Sequence, residues 1–261
     1  MGRNANEARK VIKILSLGQC LNYGYDGVPI SATYNNIAEL MLKIRFPQIT
    51  FLFDNKYLYH PMGLRALLAH RMRLSRPDVV MIGLPASYAA RSWRVNRVYE
   101  IAPEVVDTAR SFLQKISAKI NNTTTLPRTT PLDNLFTKHA PLKLDEYENK
   151  IEDAVKYCLA NSCRVILMGP GRFNEDSNEN LEINSPALWS AVNRMVKQVG
   201  QRFNISVIDA QEALSEFGGE IFLPNNHRWN CYGHEIVAKE VEAILASEIS
   251  TIYGTQQLTT T

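Results

Sequence analysis

Short apolar runs rich in β-branched residues alternate along the chain with longer stretches whose apolar residues recur at helical spacing. Val11–Leu17 (VIKILSL), Ile49–Phe53 (ITFLF), Asp78–Leu84 (DVVMIGL), Cys163–Met168 (CRVILM) and Ile205–Asp209 (ISVID) read as strands. Their near-continuous hydrophobicity suits strands covered on both faces. Between them, Tyr34–Ile44, Met62–Leu74, Ala102–Ile120, Leu144–Leu159, Ser185–Phe203 and His234–Ile249 predict helices, with Pro103 placed for a first helical turn. Gly18, Pro85 and Gly169-Pro170-Gly171 punctuate the strand ends, and the Thr- and Pro-rich 121–131 (NNTTTLPRTTP) predicts a loop. Strands alternating with helices imply βαβ units. The expected fold class is therefore α/β, a three-layer α/β/α sandwich around a mostly parallel five-stranded sheet. One domain is expected over 1–253, followed by a polar tail at 254–261.

Composition narrows the function classes. With 261 residues and 45% of them hydrophobic, the chain has enough apolar material for one substantial core. A net charge of +3 spread over scattered basic residues gives no case for a nucleic-acid partner. No apolar run reaches the roughly 20 residues that span a bilayer. The start of the chain (MGRNANEARK) lacks an apolar leader region, and Asn6 replaces the Ser/Thr of a myristoylation signal. The expectation is a soluble, cytoplasmic protein without a membrane partner. The four cysteines, Cys20, Cys158, Cys163 and Cys231, have no zinc-type spacing, and no His/Asp/Glu cluster has ligand spacing. No metal and no cofactor are expected. Cys158 and Cys163, at a helix end and a strand start, read as packing residues.

In parallel α/β sheets, sites lie beyond the carboxyl ends of the strands. After the first strand comes Gly18-Gln19-Cys20-Leu21-Asn22-Tyr23-Gly24, and near the far end of the chain Phe222–Ala238 reads FLPNNHRWNCYGHEIVA. These segments resemble the first and last blocks of the SGNH (GDSL-type) hydrolases. Gly18, Gln19, Cys20 and Leu21 match Gly-Asp-Ser-Leu in register, and Gly24 fits a later glycine. Trp229-Asn230 and Gly233-His234 match the last block. Arg76–Leu84 is similar to the strand that leads into the family's Gly-x-Asn-Asp block, but Pro85, Ala86, Ser87 and Tyr88 stand where that block would be. Gly63, before a helix, suggests the second block. Segment 121–149 has no counterpart.

The resemblance implies an SGNH/flavodoxin-like fold and an acyl-transfer site with Cys20 in the place of the nucleophilic serine. A thiol needs less activation than a hydroxyl, with an ordinary pKa near ~8.5. The family's His falls on Arg228 and its Asp on Asn225 or Asn226. Arginine stays protonated and cannot serve as a general base. The neighbouring His227, oriented by Asn225 or Asn226, would complete a Cys-His-Asn set. The alternative is that Arg228 occupies the site while His227 points to solvent. His234 reads as a packing residue at a helix start, and His70 as a surface group in a helix; His139 lies in the unmatched segment. The Cys20 N–H, the Gly63 N–H and the Ser87 hydroxyl are the candidate oxyanion donors. Losing one such donor costs about 3 kcal/mol of transition-state stabilisation. Gln19, His60, Arg228 and Arg172 are candidate substrate contacts.

Two functions follow from these residues. The first is acyl transfer through an S-acyl-Cys20 intermediate by a thioesterase, acyltransferase, cyclase or esterase of a specialised biosynthetic pathway. Its substrate would be a small-molecule or carrier-bound acyl donor. The second is a non-catalytic SGNH-like binding or scaffold protein, in which Arg228 takes a carboxylate or phosphate. The sequence leaves the oligomeric state open.

Overall fold

The protein is described from a computed structural model, which covers residues 10–18, 22, 24–25, 27–58, 63–86, 144–176, 186–226 and 228–254. Five parallel strands form one sheet: β1 (Lys10–Gly18), β2 (Ile49–Tyr57), β3 (Val79–Gly83), β4 (Arg164–Met168) and β5 (Ser206–Ile208). Their order is β2-β1-β3-β4-β5, so the chain reverses its direction of travel at β1. The helices are α1 (Tyr34–Arg45), α2 (Leu64–Ser75), α3 (Leu144–Ala160), α4 (Pro186–Phe203), the one-turn α5 (Ala210–Ala213) and α6 (Cys231–Tyr253). The helix expected over 102–120 and the loop over 121–131 lie outside the described residues.

The alternation of side chains along the strands builds two cores. Ile12 and Ile14 of β1, Val79 and Met81 of β3, and Ile166 and Met168 of β4 face one way, against α1 and α6. Leu15 and Leu17, Val80 and Ile82, and Val165 and Leu167 face the other way, against α2, α3 and α4. This is the expected three-layer α/β/α sandwich. It explains why the strands read as unbroken apolar runs: both faces are covered.

Two boundaries differ from the sequence expectation for physical reasons. β2 runs four residues past Phe53, through Asp54, Asn55, Lys56 and Tyr57, pairing with β1 as far as Gly18↔Tyr57. It is an edge strand, so polar side chains there reach water while the backbone still pairs. The last helix is longer than expected, because Asn230 caps it three residues early: its side-chain oxygen accepts from the Tyr232 and Gly233 N–H groups.

Gly200 of α4 shows how closely the layers approach. A Cβ added there would lie 2.2 Å from a methyl of Val207 on β5. Gly200→Leu should therefore lower stability by about 1–3 kcal/mol through overpacking, read as a lower denaturation midpoint at unchanged m-value.

Candidate active site

All five strands point their carboxyl ends to one edge, and the order reversal places the crevice between β1 and β3. The ends of these two strands touch. A Cβ on Gly83 would meet the Leu17 carbonyl at 3.4 Å and Gly18 Cα at 3.7 Å. The Gly18 carbonyl accepts from Leu58 N–H at 2.6 Å, tying the segment after β2 to the end of β1.

The loop that follows β1 is held by buried polar groups. Asn22 is 2% exposed; it accepts from the Tyr34 hydroxyl at 2.5 Å and donates to Ser16 Oγ at 3.2 Å. Asn35 donates to Ser16 Oγ at 2.9 Å and to Asn55 Oδ1 at 3.2 Å. Further on, Gly24 has a φ of 72°, and a Cβ there would sit 2.6 Å from the Val28 carbonyl, so only glycine fits this turn. Tyr25 and Val28 then exchange backbone hydrogen bonds at 2.9 and 2.8 Å.

Tyr25 reaches across to the last block. Its hydroxyl donates to the Trp229 carbonyl and lies 2.8 Å from His234 Nε2. His234 Nδ1 accepts from Tyr34 N–H at 3.2 Å. With Nδ1 accepting and the Tyr25 proton committed to Trp229, the imidazole is neutral and carries its proton on Nε2. The ring is fully buried against Trp229, Tyr34 and Tyr25, and burial pushes its pKa down to about 4. His234 is therefore a packing and anchoring residue, as the sequence suggests, and no proton carrier near neutrality.

The segment from Phe222 to Trp229 folds as a small hairpin. Phe222 and Trp229 form a bridge, and Leu223 N–H donates to the Arg228 carbonyl at 2.9 Å. Asn225 is exposed at its tip with a φ of 55°. Asn226 uses its side-chain oxygen on Arg228 N–H at 2.9 Å, and its carbonyl accepts from Asn174 Nδ2 at 2.6 Å. The half-buried Arg228 places its guanidinium over the Tyr25 ring, 5.5 Å from the centroid. The hairpin thus brings Asn226, Arg228 and Tyr25 together.

Below this hairpin, Trp229 is packed on Gly171, whose φ is 81° and where a Cβ would meet the indole at 2.6 Å. Asn193 seals the same turn: its side chain donates to the Gly171 carbonyl at 2.8 Å and leaves no room for a Cβ on Gly169. The Gly-Pro-Gly-Arg segment is thus a turn shaped around Trp229. Arg172, a candidate substrate contact, donates to the Leu214 carbonyl at 3.3 Å. Gly63 is buried as the N-cap of α2, whose first N–H groups have no intrahelical acceptors. Gln19, Cys20, His60, Ser87 and His227 lie outside the described residues.

The remaining thiols divide by environment. Cys158 and Cys163 are buried, and burial pushes them up to about 12 and about 11. Both pack in the core, as expected, and neither is a nucleophile at neutral pH. Cys231 is exposed at the start of α6. His70, expected on the surface, is half-buried in α2. Among the described residues, no His/Cys/Asp/Glu group could hold a metal ion, and no helix is long and apolar enough to cross a membrane.

The sequence reading missed the polar layer of Ser16, Asn22, Tyr34, Asn35 and Tyr25. Its signal is present in the chain: Ser16 interrupts an apolar strand, and Asn35 falls on the buried face of α1.

No family model matches the sequence, and no curated protein matches it. Solved structures do. A lipase/acylhydrolase from Enterococcus faecalis superposes with a TM-score of 0.60 at 12% identity, over 90% of this chain and 96% of that one. A catalytic mutant of Axe2, an acetylxylan esterase from Geobacillus stearothermophilus, gives 0.55 at 18% identity, over 91% and 94%. A Desulfitobacterium hafniense protein assigned to the lipolytic G-D-S-L family gives 0.54 at 12% identity, over 89% and 98%. At such identities the likeness is one of fold: over about nine-tenths of its length the chain shares the three-layer α/β architecture of these proteins.

The buried neutral His234 sets an acid limit. Its folded pKa of about 4 lies below the unfolded value of about 6.5. The unfolded chain therefore binds more protons between these values, and stability falls as pH drops from about 6.5 to about 4, then levels off. The loss should total about 3 kcal/mol. His234→Gln should flatten this part of the stability–pH curve, measured by urea unfolding across the range.

Proposed function

We propose that the protein is an acyl-transfer enzyme working through an S-acyl intermediate on Cys20, with an activated donor such as a thioester. The observation that carries this reading is positional. The fold is that of esterases and lipases, and Cys20 follows the strand that ends at the sheet's order reversal, between the touching residues Gly18 and Asn22.

In this reading the Cys20 thiolate attacks the donor carbonyl, and the negative charge of the tetrahedral intermediate falls to the Cys20 and Gly63 N–H groups and the Ser87 hydroxyl. Collapse breaks the bond to the leaving thiol or alcohol, which takes the proton that His227 accepted from Cys20. Water, an amine or an alcohol, deprotonated by His227, then attacks the acyl carbonyl carbon; the carbon–sulfur bond breaks, and His227 returns the proton to the Cys20 sulfur. Asn226, whose side chain already turns back toward Arg228 N–H, steadies the chain around His227; Asn225 shapes the turn. Gln19, His60, Arg172 and Arg228 contribute substrate contacts. The weakened oxyanion set favours thioesters over ordinary esters, and so a specialised cytoplasmic biosynthetic step over general lipolysis. The substrate is a small or carrier-bound acyl group.

A second reading, a binding protein without catalysis, draws on one observation. The Arg228 guanidinium rests on Tyr25 and pairs with no carboxylate among the described residues, so it is open to a carboxylate or phosphate ligand.

Intact-mass spectrometry after incubation with a panel of acyl thioesters separates the two. Acyl transfer requires an adduct of the donor's acyl mass that is absent in Cys20→Ala and forms about 100-fold more slowly in His227→Ala. If no donor leaves an adduct, and Cys20 alkylates no faster than the exposed Cys231, the binding reading replaces it.

A further inference from the structure

Burying a polar side chain costs stability unless its hydrogen-bonding groups are matched. Yet Ser16, Asn22, Tyr34 and Asn35, all 2% exposed or less, gather on one face of β1 where it ends. Their bonds run from one to the next. The Tyr34 hydroxyl donates to Asn22 Oδ1, Asn22 Nδ2 donates to Ser16 Oγ, and Asn35 Nδ2 donates to the same Ser16 oxygen. Burial pushes the Tyr34 phenol far above its ordinary range, so it remains a donor at every working pH, and the Asn22 amide can face only one way. Connected hydrogen bonds of this kind strengthen one another.

The cluster is not tuned for stability alone. Asn35 Oδ1 is buried with no hydrogen-bond partner among the described residues, a cost that an apolar side chain would avoid. What the cluster does fix is a distance. A Cβ on Gly18 would lie 2.6 Å from the Asn22 amide nitrogen and oxygen, so that amide lies flat on the Gly18 backbone. Only Gln19, Cys20 and Leu21 connect these two touching residues.

We propose, resting on the reading of Cys20 as nucleophile, that Asn22 is the positioning residue of the Cys20 turn. Its amide, held by Tyr34 and Ser16 and lying on Gly18, fixes the separation of the two residues that bracket Cys20, and it acts without touching substrate. Misplacing a reacting atom by about 1 Å costs on the order of 100-fold in rate.

The test compares wild type, Asn22→Ala and Tyr34→Phe, each checked for fold by circular dichroism. Two quantities are measured: the single-turnover rate of S-acylation by an acyl thioester, and the pH midpoint of Cys20 alkylation by iodoacetamide, with Cys231 as internal control. Asn22→Ala should slow acylation at saturating donor by about 10- to 100-fold with an unchanged half-saturating concentration. It should shift the Cys20 midpoint away from its wild-type value, with that of Cys231 unaffected. Tyr34→Phe, which keeps the amide and loses only its aim, should show a smaller loss of the same kind and serves if Asn22→Ala does not fold. Wild-type acylation rate and midpoint in a folded variant would overturn the role of Asn22 while leaving the acyl enzyme intact. Failure of wild-type Cys20 to acylate at all would remove the acyl-enzyme reading, and the alkylation midpoints would then still decide whether Asn22 governs the thiol.

Discussion

Everything at the candidate site depends on the contact between the ends of β1 and β3. Gly18 and Gly83 leave no side chain between the two strands, so backbone meets backbone. That contact is enforced from below. Leu15 and Leu17 are sunk into one helical layer, and Ile12 and Ile14 into the other. β1 can therefore neither slide nor rotate without exposing one face, because a one-residue slip would reverse every side chain. A strand fixed in this way sets the position of Gly18 at the edge of the sheet.

Onto this fixed edge the chain folds three loops, each shaped by an asparagine where an apolar residue would have sufficed for packing. Asn22 lies on Gly18, Asn193 fills the space over Gly169 and bonds Gly171, and Asn230 caps α6 while donating to the Glu220 and Phe222 carbonyls. In each case one amide satisfies backbone or hydroxyl groups that would otherwise be buried unpaired. Trp229 sits at the centre, with Gly171 and Gly233 yielding room for its indole. The edge is thus held by directional bonds, whereas the two cores beneath it are held by non-directional apolar contact.

That division explains what could be read from the sequence. The strands and helices are set by periodicity, and the runs around Ile12, Val80 and Ile166 show their fold class directly. Gly18, Gly24, Trp229 and Gly233 also stand out, because close packing dictates residue type there. The polar layer does not show. Ser16, Asn22 and Asn35 are unremarkable residue types, and their partners are set by tertiary placement. β2 outruns its apolar stretch because edge strands tolerate polar residues such as Asp54 and Lys56. The roles of Arg172 and Arg228 depend on side-chain direction, which spacing does not encode: one turns to the Leu214 carbonyl and the other onto Tyr25.

The bond between Tyr25 and His234 joins residues 209 positions apart. Contacts of that separation form last during synthesis, when the emerging chain has already folded its earlier units. A ribosome-bound chain that has made all five strands still lacks the histidine that anchors Tyr25 and Tyr34. Tyr25 and Tyr34 therefore gain this anchor only when α6 docks. A chain truncated before α6 would carry the sheet without the anchor for either tyrosine.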